Sequence, residues 1–421
     1  MRPVNGIRVD ARILCLLALL GGATGCKVDF DAIEDSVREA RRGLSTYEWR
    51  DGDDSLKASV KGKITFSEDE SDVATLEPDG FLKIEQRGAQ RWTYDAVPLP
   101  NGDLKRSFAR DGQTLSPGPA TDQWLREILP KILRQTGIDA PGRVRRLLSS
   151  GGPDAFLAEI EQIQTSSVQR LYIDEFLSQE DPTAEQTRRL ARVAVQTRSS
   201  SESERIVEQL VDRHGKDAEL TDLLIQASAQ VRSSSGKVRM TDFILTHREI
   251  GEAAALKIAA SLAEIRTSTE KANGLVALAD ASPGSAPVRL ALLDAVGTIS
   301  SSSEKGRALM SIVETSVLDR QIAVRAAEVI KTVRSDSERA RALRQLVAEM
   351  PLDPEILEPV LGAARRLSTS SKEQTVMALI RREYGRSELE TILQFVRDNL
   401  PEGSISTRLQ QRIERQLEGI S

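Results

Sequence analysis

The strongest constraint on the fold is a repeat of constant length in the C-terminal two-thirds of the chain. Hydrophobic residues or threonine recur there at intervals of 34 residues, with no insertion between them. These register positions are Ile163, Thr197, Val231, Ile265, Ile299, Val333 and Leu367. A fixed period of this length is typical of equal structural units stacked in a row. We therefore predict a solenoid, an architecture that favours a binding role over catalysis.

Each repeat carries the start signal of one helix and the apolar face of a second. Three and four positions after the register residue, every unit has Ser, Thr or Asp, which can accept hydrogen bonds from a first helical turn. Four units also show a capping box, namely Ser199 with Glu202, Thr267 with Glu270, Ser301 with Glu304, and Ser335 with Glu338. Mostly apolar positions at offsets 10, 13, 27, 30 and 31 from the register residue form two helical stripes. The predicted fold class is mainly α, an α-solenoid of seven 34-residue helical hairpins.

Residues 1–25 have the pattern of a bacterial lipoprotein signal peptide. Three arginines precede the apolar run Ile13–Leu20, and small residues lead from there to Cys26. The stretch that begins at Ala23 and ends at Cys26 resembles a lipobox, in which the cysteine becomes the lipidated first residue. Removal of Cys15 with the signal would leave Cys26 alone, and lipidation explains a lone thiol in an oxidising compartment. The alternative is an ordinary cleavage site with an incidental cysteine.

The residues after the cysteine predict the cellular location of the protein and a tether to the membrane. Lys27 stands where signals for retention in the inner membrane usually have Asp, so the predicted location is the outer membrane of a bacterial envelope, facing the periplasm. Residues 26–54 are predicted to be a lipidated tether with a short helix at Phe30–Arg42.

A small antiparallel β domain is predicted for residues 55–118. Short stretches of alternating apolar and polar residues are separated there by turn sequences such as Asn101-Gly102. The predicted core of the domain consists of Phe81, Trp92, Tyr94 and Phe108. A functional alternative makes Trp92 a platform for a carbohydrate or a peptide.

The remaining boundaries follow from helical patterns and breaks. Residues 119–152 are predicted to be connecting helices, residues 153–385 the solenoid, and residues 386–421 capping helices. The polar residues of the last segment are expected to form a solvated capping face, and they are Arg408, Arg412, Glu414 and Arg415.

Several stretches resemble one region of a known family. They are Gly80-Phe-Leu-Lys-Ile-Glu85, Arg110-Asp-Gly112, Trp124-Leu-Arg-Glu-Ile-Leu-Pro-Lys-Ile-Leu-Arg134, Gly151-Gly-Pro153 and repeat starts such as Ser302-Ser-Glu-Lys305. The chain is similar here, over roughly residues 55–385, to the C-terminal extracytoplasmic repeat region of antirepressor-type bacterial membrane metallopeptidases. Those enzymes carry a His-Glu-x-x-His zinc site in a membrane domain, and this sequence has no such motif. The resemblance therefore implies a sensory or interaction module without a catalytic residue.

No other pattern indicates chemistry. The chain has only two histidines, His214 and His247, which are too few for a zinc site without cysteine partners. Neither a phosphate-binding glycine loop nor a Gly-x-Ser-x-Gly nucleophile elbow occurs. A net charge of −5 argues against nucleic acid as a partner. We expect no catalytic, metal or cofactor site.

Basic residues recur at three offsets and could form a binding surface. Offset one holds Arg198, Arg232, Arg266 and Arg334, offset six holds Lys237, Lys271, Lys305 and Arg339, and offset eight holds Arg205, Arg239, Arg307 and Arg341. In a stack, equal offsets form columns, here beside a row of helix N-termini that favour anions. A carboxylate-bearing peptide, a cell-wall fragment or a lipid headgroup could bind there. The alternative is structural, with these cations offsetting helix dipoles or pairing with acids such as Glu204.

Together these patterns predict a non-catalytic, lipid-anchored envelope protein. It would act as a protein-interaction scaffold or sensory module, with the membrane, another envelope protein or an anionic peptide as partner. The alternative is an enzyme or ligand-binding protein that uses a site in the β domain or at its junction with the solenoid.

Overall fold

The structure is a computed structural model that describes residues 44–51, 54–282 and 284–420. The chain divides into two compact units, one that ends at Leu129 and one that begins at Pro130. The predicted signal, the helix at Phe30–Arg42 and Cys26 lie outside the described residues. As predicted, the protein is mainly α-helical, with an antiparallel β domain before a series of packed helices.

The β domain is a six-stranded antiparallel sheet with a separate hairpin. Its strands are β1 (Leu44–Asp51), β2 (Asp54–Lys61), β3 (Ile64–Phe66), β4 (Val73–Leu76), β5 (Phe81–Arg87), β6 (Trp92–Pro98), β7 (Leu104–Arg110) and β8 (Gln113–Leu115). The sheet order is β1-β2-β5-β6-β7-β8, and β3 pairs with β4. Strand β1 lies in the segment that is predicted to be a tether, so the β domain includes residues from Leu44 onward, before the predicted start at position 55.

Three of the four predicted aromatic core residues are buried, and Phe81 is not. Trp92, Tyr94 and Phe108 are at most 9% exposed. Side chains alternate along a strand, and on β5 it is the even-numbered positions, such as Leu82 and Ile84, that face the core. Phe81 therefore points to the other face, where it is half-buried.

Within the described residues, two helices precede the repeats, and the second is kinked. They are α1 (Pro119–Thr136) and α2 (Ala140–Ile160). Gly152 has a φ of 67°, a conformation that glycine adopts without a steric cost, and it interrupts the helical geometry of α2. The predicted boundary at position 153 lies inside α2, whose C-terminal part, including Phe156, joins the solenoid core.

Seven helical hairpins follow in the predicted register. They are α3 (Ser166–Gln179) with α4 (Ala184–Gln196), α5 (Ser200–Leu210) with α6 (Ala218–Gln230), α7 (Ser234–His247) with α8 (Glu252–Ala263), α9 (Ser268–Ala281) with α10 (Ala286–Gly297), α11 (Ser302–Glu314) with α12 (Arg320–Lys331), α13 (Asp336–Glu349) with α14 (Pro354–Ala364), and α15 (Thr369–Leu379) with α16 (Arg386–Asn399). First helices pack against neighbouring first helices and second helices against second helices, which forms two layers. The described chain ends with α17 (Ser404–Gly419).

The C-terminal boundary differs from the prediction. Helix α16 packs against α14 and completes the seventh hairpin, so only α17 lies beyond the repeats. In the first six units the two helices begin 3 and 21 residues after the register residue, and in the seventh they begin 2 and 19 residues after Leu367. The helices of the seventh hairpin thus begin one and two residues early, whereas α17 begins at Ser404, 37 residues after Leu367, which is offset three of a further 34-residue step.

The periodic apolar residues form one continuous core between the layers. All seven register residues are buried, and the side chains at offset thirteen are almost completely buried. The latter are Phe176, Leu210, Ile244, Leu278, Ile312, Leu346 and Ile380. Burial of a side chain of this size contributes about 1.5–3 kcal/mol, so the column at offset thirteen is a main source of stability.

Serines at the helix starts cap their own helix and also join neighbouring units. Ser199, Ser301 and Ser335 accept hydrogen bonds from backbone N–H groups in the first turn, whereas Thr267, a weaker N-cap type, makes no such bond. The serine at offset three accepts a bond from the next unit, as in the 3.2 Å contact from the N–H of Ser301 to Oγ of Ser268. The serine at offset two therefore caps its own helix, and the next serine, at offset three, links that helix to the following unit.

Candidate anion-binding surfaces of the solenoid

The predicted basic column at offset six lies inside the solenoid, so this part of the prediction is wrong. Lys237, Lys271, Lys305 and Arg339 are each only 6% or 7% exposed. Offset six lies on the same face of the first helix as the apolar positions at offsets ten and thirteen, because residues three or four apart are neighbours on a helix. The aliphatic stems pack in the core, and only the charged ends need polar partners.

These buried cations bind the C-terminal ends of second helices. Nζ of Lys305 donates to the carbonyl oxygen of Gly297, the last residue of α10, and to Oγ1 of Thr332, the C-cap of α12, each at 2.9 Å. Lys271 makes an equivalent pair of bonds, each 2.7 Å long. Carbonyl groups at a helix C-terminus lack intrahelical partners and attract cations. We call Lys237, Lys271, Lys305 and Arg339 the buried cation column.

A signal for this role is visible in the first two units, where offset six is uncharged. Nε2 of Gln169 donates to the carbonyl oxygen of Ile163 at 2.7 Å, and Oγ of Ser203 donates to that of Ala194 at 2.9 Å. What these positions share with the lysines is a hydrogen-bond donor rather than a charge. Burial lowers the pKa of the Lys271 and Lys305 ammonium groups. This agrees with a role in which these side chains donate hydrogen bonds rather than supply charge.

The second predicted column, at offset one, lies on the surface. Arg198, Arg232, Arg266 and Arg334 are exposed, and among the described residues none of their guanidinium groups has a hydrogen bond or an ion pair. Each follows the buried register residue at the end of a second helix, one unit apart from the next. We call these four residues the arginine edge.

Part of the arginine edge borders a cavity. Arg232 and Arg266 line a space of about 590 Å³ together with Lys237 and the N-terminal residues of α7. Lys237 differs from the other lysines of the buried cation column, because the position of the C-cap threonine is taken by Glu264, whose Oε2 lies 3.6 Å from Nζ. The cavity therefore gathers three cationic side chains around one exposed carboxylate.

Basic residues at offset eight include paired ones, as the structural alternative predicted. Nε of Arg239 lies 2.6 Å from Oε1 of Glu204 in the preceding unit. Arg307 bonds both Glu304 on its own helix and Asn273 in the preceding unit, at 2.7 Å each. These contacts tie first helices together and leave the arginine edge as the column without acidic partners.

A third basic surface lies at the C-terminal end and was not predicted as a site. A cavity of about 640 Å³ opens among α13, α15 and α17. Its lining includes Arg344, Glu373, Gln374, Met377, Ala378, Arg381, Ile405, Arg408, Leu409, Gln411, Arg412 and Arg415. We call it the C-terminal arginine cavity. Arg408, Arg412 and Arg415, assigned from the sequence to a capping face, surround this space, whereas Glu414 pairs with Arg397 at 3.1 Å.

Cations in the C-terminal arginine cavity lack acidic partners. Of its five arginines, Arg344 bonds the amide oxygen of Gln374 at 2.9 Å, and Arg408 and Arg415 bond backbone carbonyl oxygens of their own helix. Arg381 and Arg412 have no hydrogen bond or ion pair among the described residues. The lining contains one carboxylate, that of Glu373, so the cavity is strongly cationic.

In the β domain, Trp92, the side chain considered as a platform, and the neighbouring polar groups have structural roles. Trp92 is 9% exposed and stacks on Trp124 at 5.2 Å between ring centroids, so it cannot be an open platform for a sugar or peptide. The hydroxyl of Tyr94 donates to Asp72 at 3.0 Å, and Asp72 also pairs with Arg106 at 2.6 Å. Burial and the Asp72 carboxylate raise the pKa of Tyr94, so this phenol stays protonated.

Neither histidine is part of a cluster in the structure. His214 is exposed in a turn, where its Nε2 lies 3.0 Å from the carbonyl oxygen of Pro182. Nδ1 of His247 lies 2.8 Å from the carbonyl oxygen of Phe243. The described residues contain no group of three His, Cys, Asp or Glu side chains placed to hold a metal ion. No described helix is both long and apolar enough to span a bilayer.

Comparison with known proteins adds little. No protein family and no curated protein matches the chain. A solved structure described as "Computational Design of Self-Assembling Cyclic Protein Homooligomers" is 13% identical, covers 70% of this chain and 95% of that chain, and superposes with a TM-score of 0.13. A likeness at this level carries no argument.

Proposed function

We propose that the protein is a non-catalytic interaction scaffold whose arginine edge binds an acidic segment of a partner protein. The observation that carries the proposal is the contrast in pairing. Other basic columns of the solenoid contain cations that bind carbonyl groups or carboxylates, whereas Arg198, Arg232, Arg266 and Arg334 are exposed and have no such partner among the described residues.

The spacing of the arginine edge suggests the form of the ligand. Packed helices lie about 8–10 Å apart, so successive arginines would be separated by a similar distance. A peptide in the polyproline II conformation has three residues per turn and rises about 3.1 Å per residue, so every third side chain lies on the same side and would reach the next arginine. The best ligand is therefore a polyproline II segment with Asp or Glu at every third position, because arginine binds carboxylates in a bidentate manner.

A peptide-binding experiment tests this proposal. A fluorescent peptide with Glu at every third position is titrated with the protein, and fluorescence anisotropy is compared with that of a peptide of the same composition with its Glu residues in one block. We expect the spaced peptide to bind more tightly and Arg232→Glu with Arg266→Glu to weaken binding by about tenfold or more, as loss of two charge-assisted contacts implies. Lys216→Glu with Lys257→Glu is the control, since both lysines are exposed and outside this edge.

Equal binding of the two peptides would contradict the predicted spacing of the acidic residues. Unchanged binding by the Arg232 and Arg266 variant would show that the arginine edge is not the binding surface. In cells, a photo-crosslinking residue at Ser300, which occupies offset one between Arg266 and Arg334, should capture a partner that is lost in the same double variant. Crosslinks that survive the substitution would contradict the proposal.

We further propose that Cys26 carries a lipid anchor that holds the protein at the outer membrane of a bacterial envelope, on the periplasmic side. The support is the signal-like sequence before Cys26 and the lone thiol that would remain after cleavage. Labelling of cells with an alkyne fatty acid should tag the wild-type chain and leave Cys26→Ser untagged. Label that persists in the Cys26→Ser variant would contradict the anchor.

A further inference from the structure

The C-terminal arginine cavity has two features that no part of the proposed scaffold function uses. Its lining combines a cationic part, with five arginines and one carboxylate, and an apolar part, which we call the floor. The floor comprises Met377 and Ala378 from α15 and Ile405 and Leu409 from α17. We propose that this cavity binds a single anionic amphiphile, an alkyl or acyl chain that ends in a phosphate or carboxylate group.

The arrangement of charge requires an anion. Arg381 and Arg412 are exposed and have no hydrogen bond or ion pair among the described residues, and they line the same space from α17 and from the residues after α15. Two cations that line one cavity favour an anion between them, and the planar donors of guanidinium groups suit phosphate and carboxylate oxygens.

The floor requires an apolar group attached to that anion. Ile405 is 41% exposed, which is unusual for isoleucine in this chain, and Met377 and Ala378 beside it are half-buried. Covering these side chains with a hydrocarbon chain removes apolar surface from water and contributes about 0.8 kcal/mol per buried methylene group. A simple inorganic anion would leave this surface exposed.

Volume and backbone geometry favour a small molecule over a peptide. A helix with its side chains is about 10–12 Å wide and rises about 5.4 Å per turn, so the cavity of about 640 Å³ holds only about one turn. A helical ligand normally places anchors over two turns. The lining comes almost entirely from helices, which have no open strand edge for an extended peptide. The volume is in the range usual for small-molecule sites.

The cavity has a structural origin in the apolar face of α17. This helix begins in step with the repeat, at offset three, but its buried apolar residues Leu409 and Ile413 are at offsets eight and twelve rather than ten and thirteen. A different face of α17 is therefore buried, and side chains of α15 and α17 border the cavity. The site is a local feature of this end of the solenoid and does not depend on the arginine edge.

Calorimetric titration with alkyl phosphates tests the proposal on the full chain. Dodecyl phosphate, kept below its micelle-forming concentration, should bind with one molecule per chain. Octyl phosphate should bind more weakly, and inorganic phosphate and the neutral dodecyl maltoside more weakly still. Arg381→Gln with Arg412→Gln should weaken dodecyl phosphate by about tenfold or more, as expected for two lost charge-assisted contacts.

Matched variants separate the site from general effects of charge. Arg205→Gln with Arg341→Gln removes the same charge from exposed positions outside the cavity and should leave binding unchanged. Ile405→Ser should weaken dodecyl phosphate while inorganic phosphate is unaffected, since only the floor is altered. Far-UV circular dichroism confirms that each variant keeps its helices.

Four outcomes would overturn the proposal. They are absence of dodecyl phosphate binding, equal binding by the cavity and control variants, affinity that does not increase with chain length, and displacement of the amphiphile by an acidic helical peptide that binds more tightly. A flotation assay with vesicles that contain phosphatidylglycerol distinguishes a membrane lipid from a free amphiphile as the ligand. Flotation of the protein with vesicles, lost in the Arg381 and Arg412 variant, indicates a membrane lipid, whereas monomer binding without flotation indicates a free amphiphile.

Discussion

The arginine edge and the buried cation column have the same period and the same charge, yet one faces solvent and the other lies in the core. They are five residues apart in each unit. Offset one follows the end of a second helix, where the side chain has no neighbour to cover it, whereas offset six lies on the inner face of a first helix. Periodicity therefore places residues in a column, but the helix face on which they lie determines whether the column is free to bind a ligand or stabilises the fold.

Charge reversal in the buried cation column should have the largest effect. Lys305→Glu places a carboxylate against the carbonyl oxygen of Gly297, and we expect a loss of about 3–5 kcal/mol in the free energy of unfolding, as for a broken buried pair. Lys305→Met keeps the stem but removes the donor, and should cost about 1–3 kcal/mol. Urea unfolding followed by circular dichroism measures both, and a loss below that of the surface variants would contradict the structural role.

A buried carboxylate that pairs with arginines should instead make the stability of the protein sensitive to acid. Glu159 is 7% exposed and pairs with Arg134 at 2.6 Å and Arg143 at 2.8 Å. Burial alone raises the pKa of Glu159, but hydrogen bonds and charges from the two arginines outweigh it, so the pKa is lowered below 4.5.

A lowered folded pKa means that the Glu159 contribution to stability is present above the pKa of the unfolded chain and is lost as pH falls through the folded value. Glu159→Gln should cost about 3 kcal/mol at neutral pH. It should also flatten the decline of the midpoint of unfolding below about pH 4.5, which is near the unfolded value for glutamate. A wild-type and variant pair with parallel acid profiles would show that other carboxylates dominate.

Contacts between units at offset three allow a finer comparison of charged and neutral residues. Asp336 accepts bonds from the backbone N–H of Ser368 at 2.7 Å and from two serine hydroxyls, whereas Ser302, one unit earlier, accepts only from backbone N–H groups at 3.2 Å. Asp336→Ala should cost about 1–2 kcal/mol and Ser302→Ala about 1 kcal/mol or less, by analogy with helix caps. Thermal unfolding of the two variants tests the order, and a larger loss for Ser302→Ala would reverse it.

Charge reversal at the arginine edge should have the smallest effect on stability. Arg334→Glu removes an exposed side chain that has no partner among the described residues, so the free energy of unfolding should change by less than about 0.5 kcal/mol. The same urea experiment applies, with Lys305→Met as the contrasting variant. A loss comparable to that of Lys305→Met would show that Arg334 supports the fold.

Much of the solenoid could be predicted because its signals are local and repeated. A capping serine and an apolar stripe each act within one or two helical turns, so the starts of the first helices were found within a residue. Strand β1 and the outward position of Phe81 were missed, because a single strand offers few residues and its face depends on pairing with β2.

The candidate sites were harder to predict, for a different physical reason. Lys271 and Lys305 resemble surface residues by type, and only the distance of four and seven residues to the apolar positions indicates their inner face. The five arginines of the C-terminal arginine cavity are spread over 72 residues, from Arg344 to Arg415. Arg344 and Arg412 are two periods apart, and Arg381 and Arg415 are one period apart, but this relation is visible only when α17 is counted as a further first helix.

The period, the helix starts and the columns could be read from the residues alone, because each rests on hydrogen bonds and apolar contacts between residues close along the chain or one repeat apart. Which cations are buried, which remain without acidic partners among the described residues, and where a cavity opens became clear only from the packed helices. Those properties depend on how neighbouring helices cover one another, which no local pattern records.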